Sequence, residues 1–195
     1  MAMGNREDLL AGATQCLKEK GWARTTVRDI AAAAGVNHAA IGYHFGSRDA
    51  LLTAAFVQAM DEWGRAVGTA LSAVGDPSGA GPEQYAEMWR RMLDSFAGTR
   101  QLWLASVEAA VQAEHNPALR ELLQAAQREG RRGLSAGILG VPEEEVDGAT
   151  ERSVGAVQSA LLGGLFTQWL LDPEGAPSAE EVLAGLRALG RLAGA

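Results

Sequence analysis

The chain has 195 residues, 24 acidic and 17 basic side chains, and an apolar share of 47%. These values exclude a disordered or fibrous chain and indicate a soluble globular protein, whose core at this length buries about 70% of the unfolded surface. The net charge of −7 argues against a general affinity for nucleic acid, but the charge is uneven. Residues 1–50 hold six basic against five acidic side chains, whereas residues 51–195 hold 11 against 19. The N-terminal quarter alone is therefore compatible with a polyanionic partner.

Nothing in the sequence indicates export, a metal or a membrane. A single cysteine, Cys16, cannot form an internal disulfide, and residues 1–8 show no apolar run behind a basic start, so we expect a cytoplasmic protein. Three widely spaced histidines give little support to a metal site, and no cofactor motif is present. Residues 153–171 carry no charge, but polar side chains interrupt them. That pattern favours a helix buried inside protein on most sides over a membrane span.

Apolar residues recur at three- and four-residue spacing along most of the chain, with caps, glycines and prolines between the runs. The pattern predicts an all-α fold of about nine helices and no strand. The predicted helices cover residues 7–20, 27–34, 37–45, 48–74, 82–97, 99–113, 117–137, 143–171 and 178–192. The clearest loop is predicted at residues 76–82, with the sequence DPSGAGP.

Residues 26–45 contain the parts of a helix-turn-helix, two short helices joined by a tight turn. Thr26 offers a hydroxyl cap to the first of them, Asn37 offers an amide cap to the second, and Gly35 can take the left-handed conformation that ends a helix. The apolar side chains that can pack the two helices together are Ile30, Ala34, Val36, Ile41 and Phe45. The polar side chains left to face a groove of DNA are Asn37, His38, Tyr43 and His44.

The strings TTVRDIA at 25–31, AGVN at 34–37 and IGYHFGSRDALL at 41–52 closely resemble the DNA-binding segment of the tetracycline-repressor (TetR) family of transcriptional regulators. The match extends from the first helix into the fourth, and its combination of spacings is far more specific than a bare helix-turn-helix. The resemblance implies a three-helix DNA-binding head, which we place at residues 1–48. It also implies a larger helical ligand-binding and dimerisation body at residues 49–195, which resembles the family only in its layout.

The resemblance further implies which residues contact operator DNA. Those of the recognition helix are Asn37, His38, Ala39, Tyr43 and His44. Those that flank it are Thr26 and Arg48, toward phosphates, and Arg28, toward a base edge or a phosphate. Their chemistry suits these roles, because arginine can bind guanine with two hydrogen bonds and amide, imidazole and hydroxyl groups bind base edges or phosphates.

Two positions depart from the family pattern, and three have a simpler interpretation. Gly42 stands where relatives usually carry a larger residue, so a phosphate contact is in doubt, and His38 leaves the base preference open. Tyr43 and His44 could instead be half-buried supports of the turn. Arg48 could instead cap the fourth helix or form a solvated ion pair.

Large aromatic and sulfur-containing side chains concentrate between residues 60 and 170. They either fill a core of small residues or line an apolar ligand pocket with a few polar groups. The candidate pocket residues are Trp63, Trp89, Met92, Phe96, Trp103, Gln112, Gln158, Phe166 and Trp169. The resemblance favours a pocket for a small apolar or aromatic effector, without identifying that effector.

Small residues at spacings of four on the long helix leave one face almost bare, and the last helix carries an apolar stripe. We expect these two surfaces to form a homodimer interface. The residues concerned are Gly155, Ser159, Gly163, Val182, Leu186 and Leu189. A contact between the same two helices within one chain remains the alternative, because periodicity does not identify the partner.

Together these observations predict a homodimeric repressor that leaves a pseudo-palindromic operator when a small molecule binds its body. A DNA-binding or partner-binding module without ligand control is the first alternative. A helical enzyme is the second, but no nucleophile motif, metal-ligand spacing or phosphate-binding glycine loop supports it.

Overall fold

The structure is a computed structural model that describes the backbone of residues 2–72 and 81–194, with side chains from residue 5 to 66 and from 81 to 194. In these ranges the chain forms nine helices and no strand, which confirms the predicted all-α fold. The helices are α1 Ala2–Lys20, α2 Val27–Ala34, α3 Ala39–Phe45, α4 Arg48–Ser72, α5 Pro82–Asp94, α6 Phe96–Ala113, α7 Pro117–Leu139, α8 Gly148–Leu171 and α9 Ala179–Leu192. Most of the predicted loop at residues 76–82 lies outside the described residues.

The break between α5 and α6 lies at Ser95, three residues before the predicted break at Gly98. The Ser95 hydroxyl donates to the carbonyl of Met92 at 2.7 Å. A serine hydroxyl that bonds back to its own helix competes with the backbone ladder. The short break therefore follows from a local hydrogen bond rather than from a glycine.

The described chain divides into two compact units, and the first comprises residues 1–64 and 99–127. Its core joins α1–α4 to α6 and to the start of α7. The fully buried large side chains of this unit are Leu9, Leu17, Trp22, Ile30, Leu51, Leu52 and Leu119. Ile30 and Ile41 pack in this core, with Ala34, Val36 and Phe45 against it, so the apolar contacts predicted for the helix-turn-helix are confirmed. The predicted domain boundary after residue 48 stays a prediction.

The second unit comprises residues 65–98 and 128–195. Gly155 lets α8 approach α7 closely, because a Cβ built there would overlap the carbonyl oxygen of Arg131 and would lie 2.7 Å from the Ser135 hydroxyl. Beside this contact, the buried Glu151 carboxylate accepts from Arg131 Nη2 at 3.0 Å. Within α8, the segment Glu151–Gly155 is π-helical.

Helix α8 is long and apolar enough to cross a membrane by length and composition, but a core helix of a soluble protein can meet the same test. Only 28% of its most apolar 18-residue window is buried within the single chain. The prediction of burial on most sides is therefore wrong for the chain as the structure describes it. Val157 is 58% exposed and Leu171 is 81% exposed, so α8 presents an open apolar face.

Candidate functional site

The first helix of the helix-turn-helix, α2, is fixed by local hydrogen bonds at both of its ends. Thr26 is the N-cap of α2, and its hydroxyl accepts from the backbone N–H of Asp29 at 3.1 Å. The Asp29 carboxylate accepts in return from the Thr26 N–H at 2.8 Å, which completes a capping box. At the other end Gly35 has a φ of 65°, and the N–H of Val36 donates to the carbonyl of Ala31 at 3.1 Å. Both predicted ends of α2 are thus confirmed.

The start of α3 is held by Asn37. Its side-chain oxygen accepts from the N–H of Ala39 at 2.9 Å, and its carbonyl accepts from the N–H of Ala40 at 3.0 Å. His38 occupies the N-cap position of α3 but makes no capping side-chain hydrogen bond. The Asn37 side chain therefore orients the helix, and the His38 side chain is exposed to solvent.

The outer face of α3 is open. Ile41 points into the core at 3% exposure, whereas Tyr43 is 82% exposed. The Tyr43 and His44 rings meet edge to face, with centroids 4.9 Å apart. The helix thus presents a face of backbone, small residues and one large aromatic side chain, as a groove-reading helix requires. The exposed residues from the turn through this face are Asn37, His38, Ala39, Gly42 and Tyr43.

The Arg48 side chain is bound to its own chain. Its Nε donates to the carbonyl of Thr25 at 2.7 Å, its Nη2 to the carbonyl of Trp22, and its Nη1 to the Asp49 carboxylate at 2.7 Å. These bonds tie the turn between α1 and α2 to the first residue of α4. The phosphate contact expected of Arg48 stays a prediction. Arg28 is exposed on α2.

An ion pair links α1 to this segment. Lys20 Nζ lies 2.6 Å from Asp29 Oδ1, and the hydrogen bonds from Lys20 and Thr26 hold the pKa of Asp29 well below its usual range. The same hydrogen bond raises the pKa of Lys20. The charged forms of both side chains therefore stabilise the folded head.

We expect Asp29→Asn to lower the Tm near neutral pH and to make the loss depend on pH. Folding lowers the pKa of Asp29, so its contribution is complete above the unfolded pKa of about 3.9 and is lost as the pH falls further. The Tm difference between the wild type and the variant should be constant from about pH 5 to 8 and shrink below about pH 4. Circular dichroism melts measure it, with Glu121→Gln, an exposed carboxylate of α7, as the control. A difference that does not shrink in acid would contradict the assignment.

The candidate pocket residues divide between the two units. Trp63, Trp103 and Gln112 belong to the first unit, where the two tryptophan rings meet edge to face at 5.3 Å and Gln112 is exposed. The candidates in the second unit are Trp89, Met92, Phe96, Gln158, Phe166 and Trp169. In the second unit the start of α6 and α8 share an aromatic contact in which the Phe96 ring lies 5.4 Å from the Phe166 ring. The pocket assignment as a whole stays a prediction.

Two features of the second unit were not predicted. Tyr85, on α5, donates its hydroxyl to the Gln158 side-chain oxygen at 2.9 Å. A cleft of about 360 Å³ lies over Phe96 and Trp169, and the ion pair between Arg90 and Glu180, at 2.8 Å, lies at its rim. Tyr85 is the chain's second tyrosine, and a signal was available in its position one helical turn before Trp89.

The residues predicted for the dimer interface lie in different environments. Gly155 packs on α7 of its own chain rather than on the last helix, and Val182 is buried. A Cβ on Gly163 would meet nothing within 4 Å, and Leu189 is 61% exposed. Ser159 and Leu186 are half-buried. Their role in a dimer stays a prediction.

Among the described residues no group of three or more histidine, cysteine, aspartate or glutamate side chains is placed to hold a metal ion.

Comparison with known proteins gives consistent matches over both parts of the chain. Residues 9–55 match the bacterial regulatory proteins of the tetR family, and residues 80–191 match the tetracyclin repressor-like C-terminal domain. The HTH-type transcriptional regulator BetI 2 of Chromohalobacter salexigens is 28% identical over 181 residues, which cover 90% of this chain and 82% of that protein.

Solved structures agree with this match. The multidrug binding protein EbrR, complexed with proflavin, is 26% identical and has a TM-score of 0.64 over 93% of this chain and 99% of its own. A TetR transcription regulator from Haloarcula marismortui has a TM-score of 0.57 at 22% identity, over 95% of this chain and 93% of its own, which shows the fold alone.

Proposed function

This chain belongs to the TetR family of transcriptional regulators, and from that premise we propose that it is a homodimeric repressor released from a pseudo-palindromic operator by a small aromatic or apolar effector. It is a DNA-binding regulator and not an enzyme. The observation that carries the proposal is the open face of α3, with Tyr43 at 82% exposure on a helix whose two ends are fixed by caps. The proposed action on chromosomal DNA supports a cytoplasmic location.

The proposed DNA contacts follow from the positions on this face. Tyr43 and His44 reach base edges or phosphates from α3, and Asn37, His38 and Ala39 lie at its N-terminal end, where backbone N–H groups favour phosphate. Thr26 and Arg28 approach from α2. Arg48 contributes chiefly by holding the turn before α2, because three of its donors already bind the chain itself.

Effector control is supported by the aromatic contact between the start of α6 and α8 and by the multidrug binding protein EbrR, whose structure contains proflavin. Release would operate through α4. Its first residue, Arg48, is bound to the carbonyls of Trp22 and Thr25, so a displacement of α4 carries the DNA-reading head with it. An effector that favours a displaced α4 would change the distance between the two heads of a dimer, and the operator would dissociate.

The test is selection of binding sites from random duplex DNA with the purified full-length protein at moderate salt, followed by sequencing. We expect a two-fold symmetric motif whose half-sites lie about 34 Å apart or a multiple of that distance. An asymmetric motif would contradict the proposal that a symmetric dimer binds the operator. An absence of enrichment, also at low salt and with folded protein, would overturn the assignment of α3 as the recognition helix. A symmetric motif whose complex never responds to any effector would favour a regulator without ligand control.

A further inference from the structure

Two buried, uncharged side-chain donors in the second unit have no acceptor among the described residues, whereas the charged Arg91 Nε is paired with Glu87 at 2.8 Å. They are the amide nitrogen Nε2 of Gln158 and the indole nitrogen Nε1 of Trp89. Gln158 is 3% exposed and Trp89 is fully buried, so water from the surface does not reach the two side chains freely. Buried donors are almost always paired in folded proteins, because an unmade hydrogen bond leaves the full desolvation cost of the group. Two such donors in one place therefore indicate a missing acceptor.

The two donors belong to one cluster on facing helices. Tyr85 connects them, because its hydroxyl donates to Gln158 Oε1 at 2.9 Å and its ring meets the Trp89 ring edge to face at 6.3 Å. Tyr85 uses the oxygen of the Gln158 amide, and this leaves the amide N–H groups for another partner. The Tyr85, Trp89 and Gln158 side chains are uncharged in their ordinary states. The buried carboxylate of this unit, Glu151, is already paired with Arg131 at 3.0 Å.

An aromatic surface formed by the start of α6 and by α8 lies in the same unit. Phe96 follows Tyr85 by eleven residues, Trp169 follows Gln158 by eleven, and their rings lie 5.9 Å apart. The cleft over Phe96 and Trp169 opens to solvent at this end. The surface formed by α5, the start of α6 and α8 thus has an aromatic end and a donor-rich end.

We propose that this surface binds the effector, and that the effector is a neutral, flat aromatic compound with a hydrogen-bond acceptor, a carbonyl oxygen or a ring nitrogen, that receives the N–H groups of Gln158 and Trp89. The inference rests on the proposed function and names the chemical class of its effector. An acceptor is required because both unpaired groups donate. A neutral molecule is required because the cluster offers no counter-charge to a cation, and a charged acceptor would lose its hydration without an ion-pair partner.

Quinoline and naphthalene test the proposal, because the two molecules share one shape and differ by a ring nitrogen. The full-length protein, labelled with ¹⁵N, is titrated with each probe near pH 7.5, where quinoline is neutral. Each of the five tryptophans gives its own indole N–H signal, and Trp89→Phe identifies the signal of Trp89. We expect quinoline to move that signal downfield and to bind about tenfold more tightly than naphthalene, the effect of one net hydrogen bond.

The variants separate the donor role from packing. Gln158→Leu and Trp89→Phe keep most of the buried volume and should each remove much of the preference for quinoline. Gln168→Leu changes an exposed glutamine of the same helix and should leave the preference intact. Equal affinity for the two probes, binding of neither, or a preference that survives both donor variants would overturn the proposal.

The proposed function fails in a different way. If quinoline is preferred in the wild type but never weakens the complex with the selected operator, the acceptor site stands and effector control of DNA binding is wrong. If the operator complex responds to naphthalene and quinoline equally, effector control stands and the acceptor class is wrong.

Discussion

Replacing Tyr43 or His44 with alanine should markedly weaken specific operator binding while the fold and the proposed dimer persist. Tyr43 is 82% exposed, so its removal leaves no cavity in the core. The centroids of the Tyr43 and His44 rings lie 4.9 Å apart. Replacing either residue with alanine therefore also removes a ring contact that orients the other side chain. A contact to a base edge contributes about 1–3 kcal/mol, so the double variant should bind its operator about 30-fold to 10⁴-fold more weakly.

Fluorescence anisotropy with the selected operator, at one fixed salt concentration, measures the loss. Binding to unrelated duplex DNA should change little, because side chains that read bases contribute less to non-specific affinity than phosphate contacts do. His115→Ala serves as the matched control, since His115 is an exposed histidine in the short connection between α6 and α7. Wild-type affinity in both α3 variants, with normal thermal melts, would show that this face does not read DNA.

The parts of the head that the sequence could predict are those that depend on near neighbours. Thr26, Gly35 and Asn37 act within three residues of the helix ends that they fix, so residue type and spacing were sufficient. Ile30 and Ile41 followed from periodicity, because the face of a short helix is set by its own spacing.

Contacts between segments far apart in the chain could not be predicted in the same way. The Arg48 guanidinium binds carbonyls 23 and 26 residues away, and the sequence alone allowed a phosphate, a cap or a solvated pair. Gly155 belongs to a regular spacing of small residues, but its neighbour is the backbone of α7 rather than a second copy. Periodicity shows that a helix face is bare, whereas the partner of that face depends on tertiary structure.

The buried N–H donor of Gln158 shows that distant contacts in the C-terminal helical part of the chain were equally hard to predict from the sequence. A glutamine within an apolar run indicates a polar position in a helix, but its significance depends on Tyr85, 73 residues earlier, which takes its oxygen and leaves its nitrogen unpaired. The sequence could place Trp89 and Gln158 among the pocket candidates. Only the structure supplies the unpaired hydrogen bonds that specify what a ligand must offer.

Leu189→Arg should convert the protein to monomers and thereby weaken operator binding further than any single change on α3. Leu189 is 61% exposed and Leu192 is 85% exposed at the end of α9, and α8 adds Val157 and Leu171 at 58% and 81%. These exposed apolar side chains lie on two helices that follow one another in the chain, and exposed apolar side chains in such numbers are typical of an interaction surface. A charge buried without a partner at an interface costs about 3–5 kcal/mol, which weakens a dimer by more than about 100-fold.

Sedimentation velocity over a range of protein concentrations measures the dimer directly, and anisotropy with the full operator and with a half-site measures its consequence for DNA. The variant should bind the full operator no better than it binds a half-site, because a monomer presents one recognition helix. Val111→Arg is the matched control, a charge introduced at an exposed valine of α6, with 62% exposure, in the first unit. If Leu189→Arg sediments as a wild-type dimer while Val111→Arg does not, the interface lies on the first unit and the open faces of α8 and α9 serve another partner.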